Sequence, residues 1–272
     1  MAVSTNKTGQ KVWMVRDRDA QLKRWFVYFV SVAVVMYCWQ TISSATTWFY
    51  VFDAPRIAAD IGGRAMPPKW SYINELWKPL WDTINIATIG TVLSLIIAVP
   101  VAFMAARNTT PHKIFCRWPA LFIIVSSRSI NSLIWALLLV AIIGPGIFAG
   151  TIAIALRSIG FCAKLLYEAI EEIDEKQVEA ITATGASRWQ IMAYAIVPQI
   201  MPSFAGITVF RWDINIREST VLGLVGAGGL GLQLSSSLNV LAWPQVSLII
   251  LVIFIAVIIS EMVSAKVRSS II

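Results

Sequence analysis

Charged residues are scarce in this chain: only 14% of its 272 residues are Asp, Glu, Lys or Arg, whereas 57% are hydrophobic. Soluble domains contain about 25% charged and about 45–50% apolar residues, so we do not expect a water-soluble globular fold. The mean hydropathy of +0.72 points the same way. The lipid bilayer must therefore be the solvent for most of this chain.

Residue types that commonly carry catalysis or bind metals are also few. The one histidine, His112, lies in a basic loop, and the three cysteines, Cys38, Cys116 and Cys162, are far apart. This spacing fits neither a disulfide framework nor a zinc site, and we interpret the cysteines as small buried hydrophobes. No G-x-x-x-x-G-K-[ST] motif is present, so the chain has no phosphate-binding P-loop. We predict no catalytic residue, no metal site and no cofactor in this chain.

A glycine run fits the G-x-G-x-x-G fingerprint of dinucleotide-binding folds, which makes a membrane-bound oxidoreductase an alternative. That motif needs a preceding strand, a following helix and an acidic residue about 20 positions further on. Here the preceding segment has the composition of a membrane span, and the region near Leu251 is wholly apolar. We therefore interpret the run as irregular backbone at the break of a span, where it could act as a gate or hinge. Its glycines are Gly226, Gly228, Gly229 and Gly231.

Six apolar segments are long enough to cross a bilayer, which takes about 20 residues in a helix. Basic residues flank these segments instead of clustering with exposed aromatics, so the net charge of +7 indicates membrane orientation and not nucleic-acid binding. The pattern predicts cytoplasmic N- and C-termini. We predict an all-α integral membrane protein with about six transmembrane helices. The predicted spans are Trp25–Ser44, Ile84–Ala106, Pro119–Ile143, Ile147–Leu166, Ile200–Val221 and Pro244–Val263.

The predicted spans divide the chain into five regions. An aromatic-rich stretch between the first two spans is expected to lie along the outer membrane surface. The regions are a cytoplasmic segment at 1–24, a first transmembrane helix at 25–47, the outer interfacial segment at 48–79, a core at 80–266 that contains an acidic loop at 167–198, and a cytoplasmic tail at 267–272.

The acidic loop at 167–198 carries signals for two helices. Asp174 can cap a first helix, and Gly185 can end it. Ser187, with Gln190 three residues later, can cap a second helix that leads into the fifth span. From these residues alone, an ordinary amphipathic hairpin at the membrane surface would explain the pattern.

The same loop resembles the EAA loop of ATP-binding-cassette (ABC) importer permeases. Glu179-Ala180-Ile181 is followed after three residues by Gly185, and later by Pro198. Ile181 stands where that family has its second alanine. In the family this loop forms a coupling helix seated in a groove of the ATPase, so the resemblance implies the type I importer fold with a cytoplasmic coupling helix. The implied ATPase-coupling residues are Glu179, Ala180, Gly185, Ala186 and Ser187.

Several polar residues lie within the predicted spans, where an arginine at a helix centre costs about 2.5–3.5 kcal/mol and usually faces a polar cavity. Arg128 has no acidic neighbour in sequence, and its planar guanidinium suits an oxyanion. In the fifth span, Asp213 and Arg217 could pair with each other, which leaves a structural and a functional role equally open. The candidate substrate-pathway residues are Arg128, Ser129, Asn131, Arg211, Asn215, Arg217, Ser219 and Thr220.

The stretches Asn215 to Gly231 and Arg128 to Leu137 look like the corresponding regions of permeases for phosphonates and related oxyanions such as phosphite. Similarity extends over about Leu80 to Lys266. The resemblance implies a non-catalytic permease subunit in the bacterial inner membrane that forms the path for such an anion. An ABC permease for another small solute, such as an amino acid, and an ion-coupled secondary transporter are the alternatives.

The resemblance also implies partners. They are a second permease subunit in a homodimer, two ABC ATPase subunits that bind ATP and Mg, a periplasmic substrate-binding protein and membrane lipid, with no nucleic acid.

Overall fold

The structure, a computed structural model, describes residues 2–5, 9, 11–14 and 18–271. The chain divides into two compact units, Met1–Asp60 and Ile61–Ile272. Apart from one short hairpin near the N-terminus, the described residues form helices and their connections. The helical fold predicted from composition is therefore confirmed.

The first unit begins with an antiparallel hairpin that the sequence interpretation did not predict. Strand β1, Ala2–Thr5, pairs with β2, Lys11–Met14, so that Ala2 lies opposite Met14. Helix α1, Arg18–Ala45, follows and has exposed apolar side chains along most of its length. A helix that is apolar on all sides is suited to lipid contact. Helix α2, Trp48–Ala65, runs from this unit into the second.

The second unit is a bundle of packed helices. Short 3₁₀ or π turns occur at Trp70–Tyr72, Lys113–Arg117 and Met192–Ile196. Its helices are α3, Ile73–Ala105; α4, Trp118–Ser129; α5, Ser132–Ile143; α6, Ile147–Glu171; α7, Glu175–Ala183; α8, Arg188–Ile191; α9, Val197–Gly223; α10, Gly229–Asn239; and α11, Trp243–Ile271.

Helix α6 lies at the centre of the bundle and packs against α3, α4, α5 and α9. Small residues permit this close packing, as is common between membrane helices. At Gly160 an added Cβ would lie 2.6 Å from the carbonyl oxygen of Ile124 on α4. The backbone N–H of Gly160 also donates to Ser127 Oγ at 2.9 Å. Glycine at this position therefore brings α4 and α6 into contact.

The third predicted span, Pro119–Ile143, is not one straight helix. Helices α4 and α5 meet at an angle of 86° across a break at residues 130–131. Asn131 leaves helical geometry with ψ 145°, and its side chain accepts a hydrogen bond from Leu133 N at 3.2 Å. The polar stretch Ser126–Ser132 in the middle of the run contains Asn131, a residue type favoured at N-caps, but the prediction treated the run as one span. Among the described residues, five helices are long and apolar enough to cross a membrane, or six if this bent pair counts as one span.

Gly226 and Gly228 lie in irregular backbone between α9 and α10, as interpreted from the sequence, whereas Gly229 and Gly231 belong to α10. Gly226, Gly228 and Gly229 have φ of +92°, +87° and +71°, which disfavour any other residue. Gly231 has a different constraint, because an added Cβ would lie 1.8 Å from the carbonyl oxygen of Thr220. The run is tightly packed, and a hinge role for it stays a prediction.

Candidate functional site

The hairpin formed by α7 and α8 has the caps that the sequence predicted. Asp174 Oδ1 accepts from Lys176 N at 3.0 Å, and Gly185 ends the first helix with φ +78°. Ser187 and Gln190 form a capping box in which Ser187 N donates to Gln190 Oε1 at 2.8 Å. Helix α8 continues through a π turn into α9, so Arg188–Gly223 is one helical stretch of 36 residues. A displacement of the hairpin would therefore be passed directly to α9.

The hairpin has one packed side and one open side. Val178 and Ile181 pack against the buried cluster that includes Leu166 and Ile170. On the open side, Trp189 is 78% exposed. The residues predicted for ATPase coupling are Glu179, Ala180, Gly185 and Ser187, which are exposed, and Ala186, which is half-buried.

Two polar contacts fix the base of the hairpin to the bundle. Asp174 N donates to Gln199 Oε1 on α9 at 3.0 Å. Glu171, the last residue of α6, accepts from Arg107 N at 2.9 Å and lies 3.7 Å from Arg117 Nη2. The first contact joins the start of α7 to α9, and the second joins the end of α6 to the segment that follows α3. The base of the hairpin is therefore anchored to the bundle.

A buried polar network crosses the middle of the bundle between α3, α6 and α9. Arg211, 2% exposed, donates from Nε to Ser158 Oγ at 2.9 Å and lies 5.0 Å over the ring of Phe161. Asn215 accepts from Ser158 Oγ at 3.2 Å and donates to Thr91 Oγ1 at 2.7 Å. Because these buried groups are satisfied by one another, the network stabilises the helix packing.

Glu218 joins that network to a second arginine, Arg157 on α6. Its Oε2 lies 3.4 Å from Arg211 Nη2, and its Oε1 lies 3.6 Å from Arg157 Nε. Arg157 Nη1 also donates to Asn131 Oδ1 at 2.9 Å. Arg211, Asn215 and Glu218, at helical spacing on α9, thus share the face that carries the network. On the other face, Asp213 pairs with Arg217.

An open cavity of about 420 Å³ lies where these groups meet the N-terminus of α5. Helices α5, α6 and α9 each contribute polar groups to it. Its lining residues are Asn131, Ser132, Leu133, Arg157, Ile214, Arg217, Glu218 and Val221.

The structure separates the predicted substrate-pathway residues into three groups. Asn131 and Arg217 line the cavity. Arg211, Asn215 and Ser219 are buried in hydrogen bonds within the bundle, and Thr220 Oγ1 donates to Arg217 O at 2.7 Å. Arg128 and Ser129 are exposed on α4 and do not line the cavity. Substrate contact by any of them stays a prediction.

Arg157 is, with Glu218, one of two charged cavity residues that were not among the predicted pathway residues. It lies within the predicted fourth span, Ile147–Leu166, so the cost of an intramembrane arginine should have identified it. Unlike Arg128 and the polar residues of the fifth span, Arg157 has no cluster of acidic or polar residues around it in the sequence. Its partner Glu218 is 61 positions away and comes close only in the folded chain.

Comparisons with known proteins agree with these features. The sequence model of the family described as "Binding-protein-dependent transport system inner membrane component" matches residues 98–267. The phosphite transport system permease protein PtxC of Stutzerimonas stutzeri is 38% identical over 243 residues, covering 89% of this chain and 87% of that protein. The phosphate-import permease protein PhnE of Mycolicibacterium smegmatis is 38% identical over 207 residues, which cover 76% of this chain but only 39% of that protein.

Solved structures show the same fold. An inward-facing structure of the MetNI methionine ABC transporter contains a chain that aligns with a TM-score of 0.63. The alignment covers 72% of this chain and 96% of that one at 20% sequence identity.

The described residues contain no group of three or more His, Cys, Asp or Glu side chains that could hold a metal ion.

Proposed function

Because this chain belongs to the family of inner-membrane components of binding-protein-dependent transport systems, the permease subunits of ABC importers, we propose that it forms the translocation path for a phosphite- or phosphonate-type oxyanion. The substrate class is supported by two relatives, at 38% identity each, which are permeases named for phosphite and phosphate transport. Phosphite, phosphonates and phosphate share the tetrahedral oxyanion group that a guanidinium binds well.

The observation that carries the proposed importer role is the exposed hairpin of α7 and α8, which leads without a break into α9. In the proposed assembly, two copies of the chain face each other and two ATPase subunits bind ATP and Mg on the cytoplasmic side. Each ATPase receives one hairpin on a groove, and a periplasmic binding protein delivers the anion to the opposite side. The chain itself performs no chemistry.

Movement of the hairpin would reach the polar cluster along α9. That helix carries Arg211, Arg217 and Glu218, and its stretch begins at Arg188 in the hairpin. Closure of the ATPases would push the exposed side of α7, and the contact between Asp174 and Gln199 would transmit the push to α9. The pathway would thereby alternate between its inward-open and outward-open forms.

The proposal is tested by reconstituting the chain with its ATPase and binding protein in proteoliposomes. We expect phosphite, hypophosphite, a phosphonate or phosphate to stimulate ATP hydrolysis and to enter the vesicles. Stimulation by an amino acid and by no phosphorus oxyanion would contradict the proposed substrate class. Uptake driven by an ion gradient in the absence of any ATPase would contradict the proposed mechanism.

The coupling role of the hairpin is tested by Glu179→Lys, which reverses an exposed charge, and by Gly185→Val, which places a branched side chain at φ +78°. We expect both variants to lose uptake and substrate-stimulated ATP hydrolysis, because the hairpin no longer fits its groove. Asp19→Lys, a charge reversal at an exposed position before the first predicted span, is the control and should behave as wild type. Full uptake by both hairpin variants would refute the coupling role.

A further inference from the structure

The charged groups around the cavity do not balance. Three guanidinium groups, on Arg157, Arg211 and Arg217, meet only two carboxylates, on Asp213 and Glu218. Glu218 is therefore shared by two guanidinium groups, and the cluster carries one surplus positive charge. A charge held away from bulk water is costly unless it is paired. The position of this charge shows where an external anion would be stabilised most.

The surplus charge lies on Arg157. Asp213, whose side chain is 6% exposed, is fully occupied because it pairs with Arg217 and accepts from Ser260 Oγ at 2.6 Å. Glu218 is shared: its contact with Arg211 at 3.4 Å meets hydrogen-bond geometry, whereas its contact with Arg157 at 3.6 Å is an ion pair only.

The second partner of Arg157 is neutral. Asn131 Oδ1 accepts from Arg157 Nη1 at 2.9 Å and also from Leu133 N at 3.2 Å. An amide oxygen contributes a dipole but no charge, so it cannot neutralise the guanidinium. Since a guanidinium has more N–H groups than these two contacts use, Arg157 keeps donors free for a ligand.

Arg157 is also accessible, unlike Arg211. The Arg157 side chain is 33% exposed and lines the cavity of about 420 Å³, whereas the Arg211 side chain is 2% exposed. Arg217, whose side chain is 48% exposed, reaches the same cavity from α9. Arginine side chains from two different helices thus line one space, an arrangement suited to an oxyanion with several acceptor oxygens.

We propose that Arg157, with Arg217 and Asn131, forms the oxyanion-binding subsite of the pathway, and that Glu218 is an internal anion that holds Arg157 in the absence of substrate. This assignment rests on the proposed function and specifies where in the chain the anion binds. A phosphorus oxyanion displaces Glu218 from Arg157, while Glu218 keeps its hydrogen bond to Arg211. Competition from Glu218 weakens binding, which allows release, as conduction through a pore requires.

The test uses phosphite itself as the probe, on the purified assembly of permease and ATPase subunits without the binding protein. Binding is followed by line broadening in ³¹P NMR. We expect Arg157→Gln to weaken phosphite binding by about tenfold or more, since a charge-assisted hydrogen bond is lost. Arg157→Lys should give an intermediate affinity, because it keeps the charge but loses the fork. Glu218→Gln should bind phosphite more tightly than wild type, because the internal competitor is gone.

Opposite effects at Arg157 and Glu218 distinguish this subsite from a structural ion pair, whose loss would weaken binding and stability in both variants. Lys164→Gln, on the same helix but paired with Glu168, is the control and should bind as wild type. The double variant Arg157→Gln with Glu218→Gln removes the pair together, and it should remain folded yet bind weakly.

The outcomes separate this assignment from the proposed function. Wild-type affinity in Arg157→Gln, or equal weakening in Arg157→Gln and Glu218→Gln, overturns the subsite while oxyanion uptake by the wild-type assembly still stands. If the wild-type assembly transports no phosphorus oxyanion in proteoliposomes, the proposed function itself fails. The parallel uptake assay, run with saturating loaded binding protein, should show a lower rate for Arg157→Gln.

Discussion

Replacement of Gly231 by alanine should destabilise the bundle more than its single added methyl group suggests. The new Cβ would lie 1.8 Å from the carbonyl oxygen of Thr220 and 2.9 Å from Gly223 Cα. Both neighbours are backbone of α9, so neither can rotate away as a side chain could. The Cβ to oxygen distance is about 1.2 Å below the 3.0 Å that real contacts keep, and α10 must therefore move away from α9.

The expected cost follows from overpacking, which usually amounts to about 1–3 kcal/mol and is larger where the backbone has to shift. We expect Gly231→Ala to lower the free energy of unfolding by about 3 kcal/mol. Gly206→Ala is the matched control, because Gly206 also lies in a helix but an added Cβ there meets nothing within 4 Å. That control should be neutral or stabilising by up to about 1 kcal/mol, since alanine favours the helix more than glycine does.

The free energy of unfolding is measured by titration of detergent-solubilised protein with a denaturing detergent, using tryptophan fluorescence. The comparison of the two alanine variants removes effects that any methyl group in a membrane helix would have. Equal stability of Gly231→Ala and Gly206→Ala would show that α10 does not pack on α9 as the structure has it. The packing argument for the glycine run would then fail.

Two further predictions concern charged residues outside the cavity. Glu171→Ala should lower the free energy of unfolding by about 1 kcal/mol, since partly exposed ion pairs contribute little. It should also speed hydrogen exchange at the backbone N–H of Arg107, which donates to Glu171. Glu172→Ala is the control and should change neither quantity. Unchanged exchange at Arg107 would contradict the contact. Arg128→Ala should lower oxyanion uptake without loss of stability, because Arg128 is exposed and has no ion pair or hydrogen bond among the described residues; wild-type uptake would remove Arg128 from the pathway.

Local signals in the sequence were sufficient for the helical elements and for the hairpin. A span is a long apolar run, and a cap is a residue such as Asp174 or Ser187 next to the helix that it begins, so both are encoded by neighbours in the chain. Gly185 ends its helix for the same local reason, since only its own backbone conformation is involved. The resemblance to the importer permeases rested on Glu179, Ala180, Gly185 and Pro198 of the same loop.

The break in the third span was harder to predict. Asn131 and the serines around it favour helix caps, a local signal that the prediction of a single span did not use. In the folded chain the cap is seen in the hydrogen bond that Asn131 Oδ1 accepts from Leu133 N. The break brings Asn131 close to Arg157, 26 positions later in the chain. No periodicity in either segment could have indicated that contact.

The sequence by itself determined that this chain crosses a membrane, that it carries a capped hairpin before the fifth span, and that charged residues lie within its spans, because each of these is a property of composition or of near neighbours. Only the tertiary structure decided which charges matter to one another. It buried Arg211 and Asn215 within the bundle. It also placed Arg157 beside an open cavity, with Glu218 as an ionic partner that it shares with Arg211. Neutralisation depends on distances between helices, and those distances are set by packing.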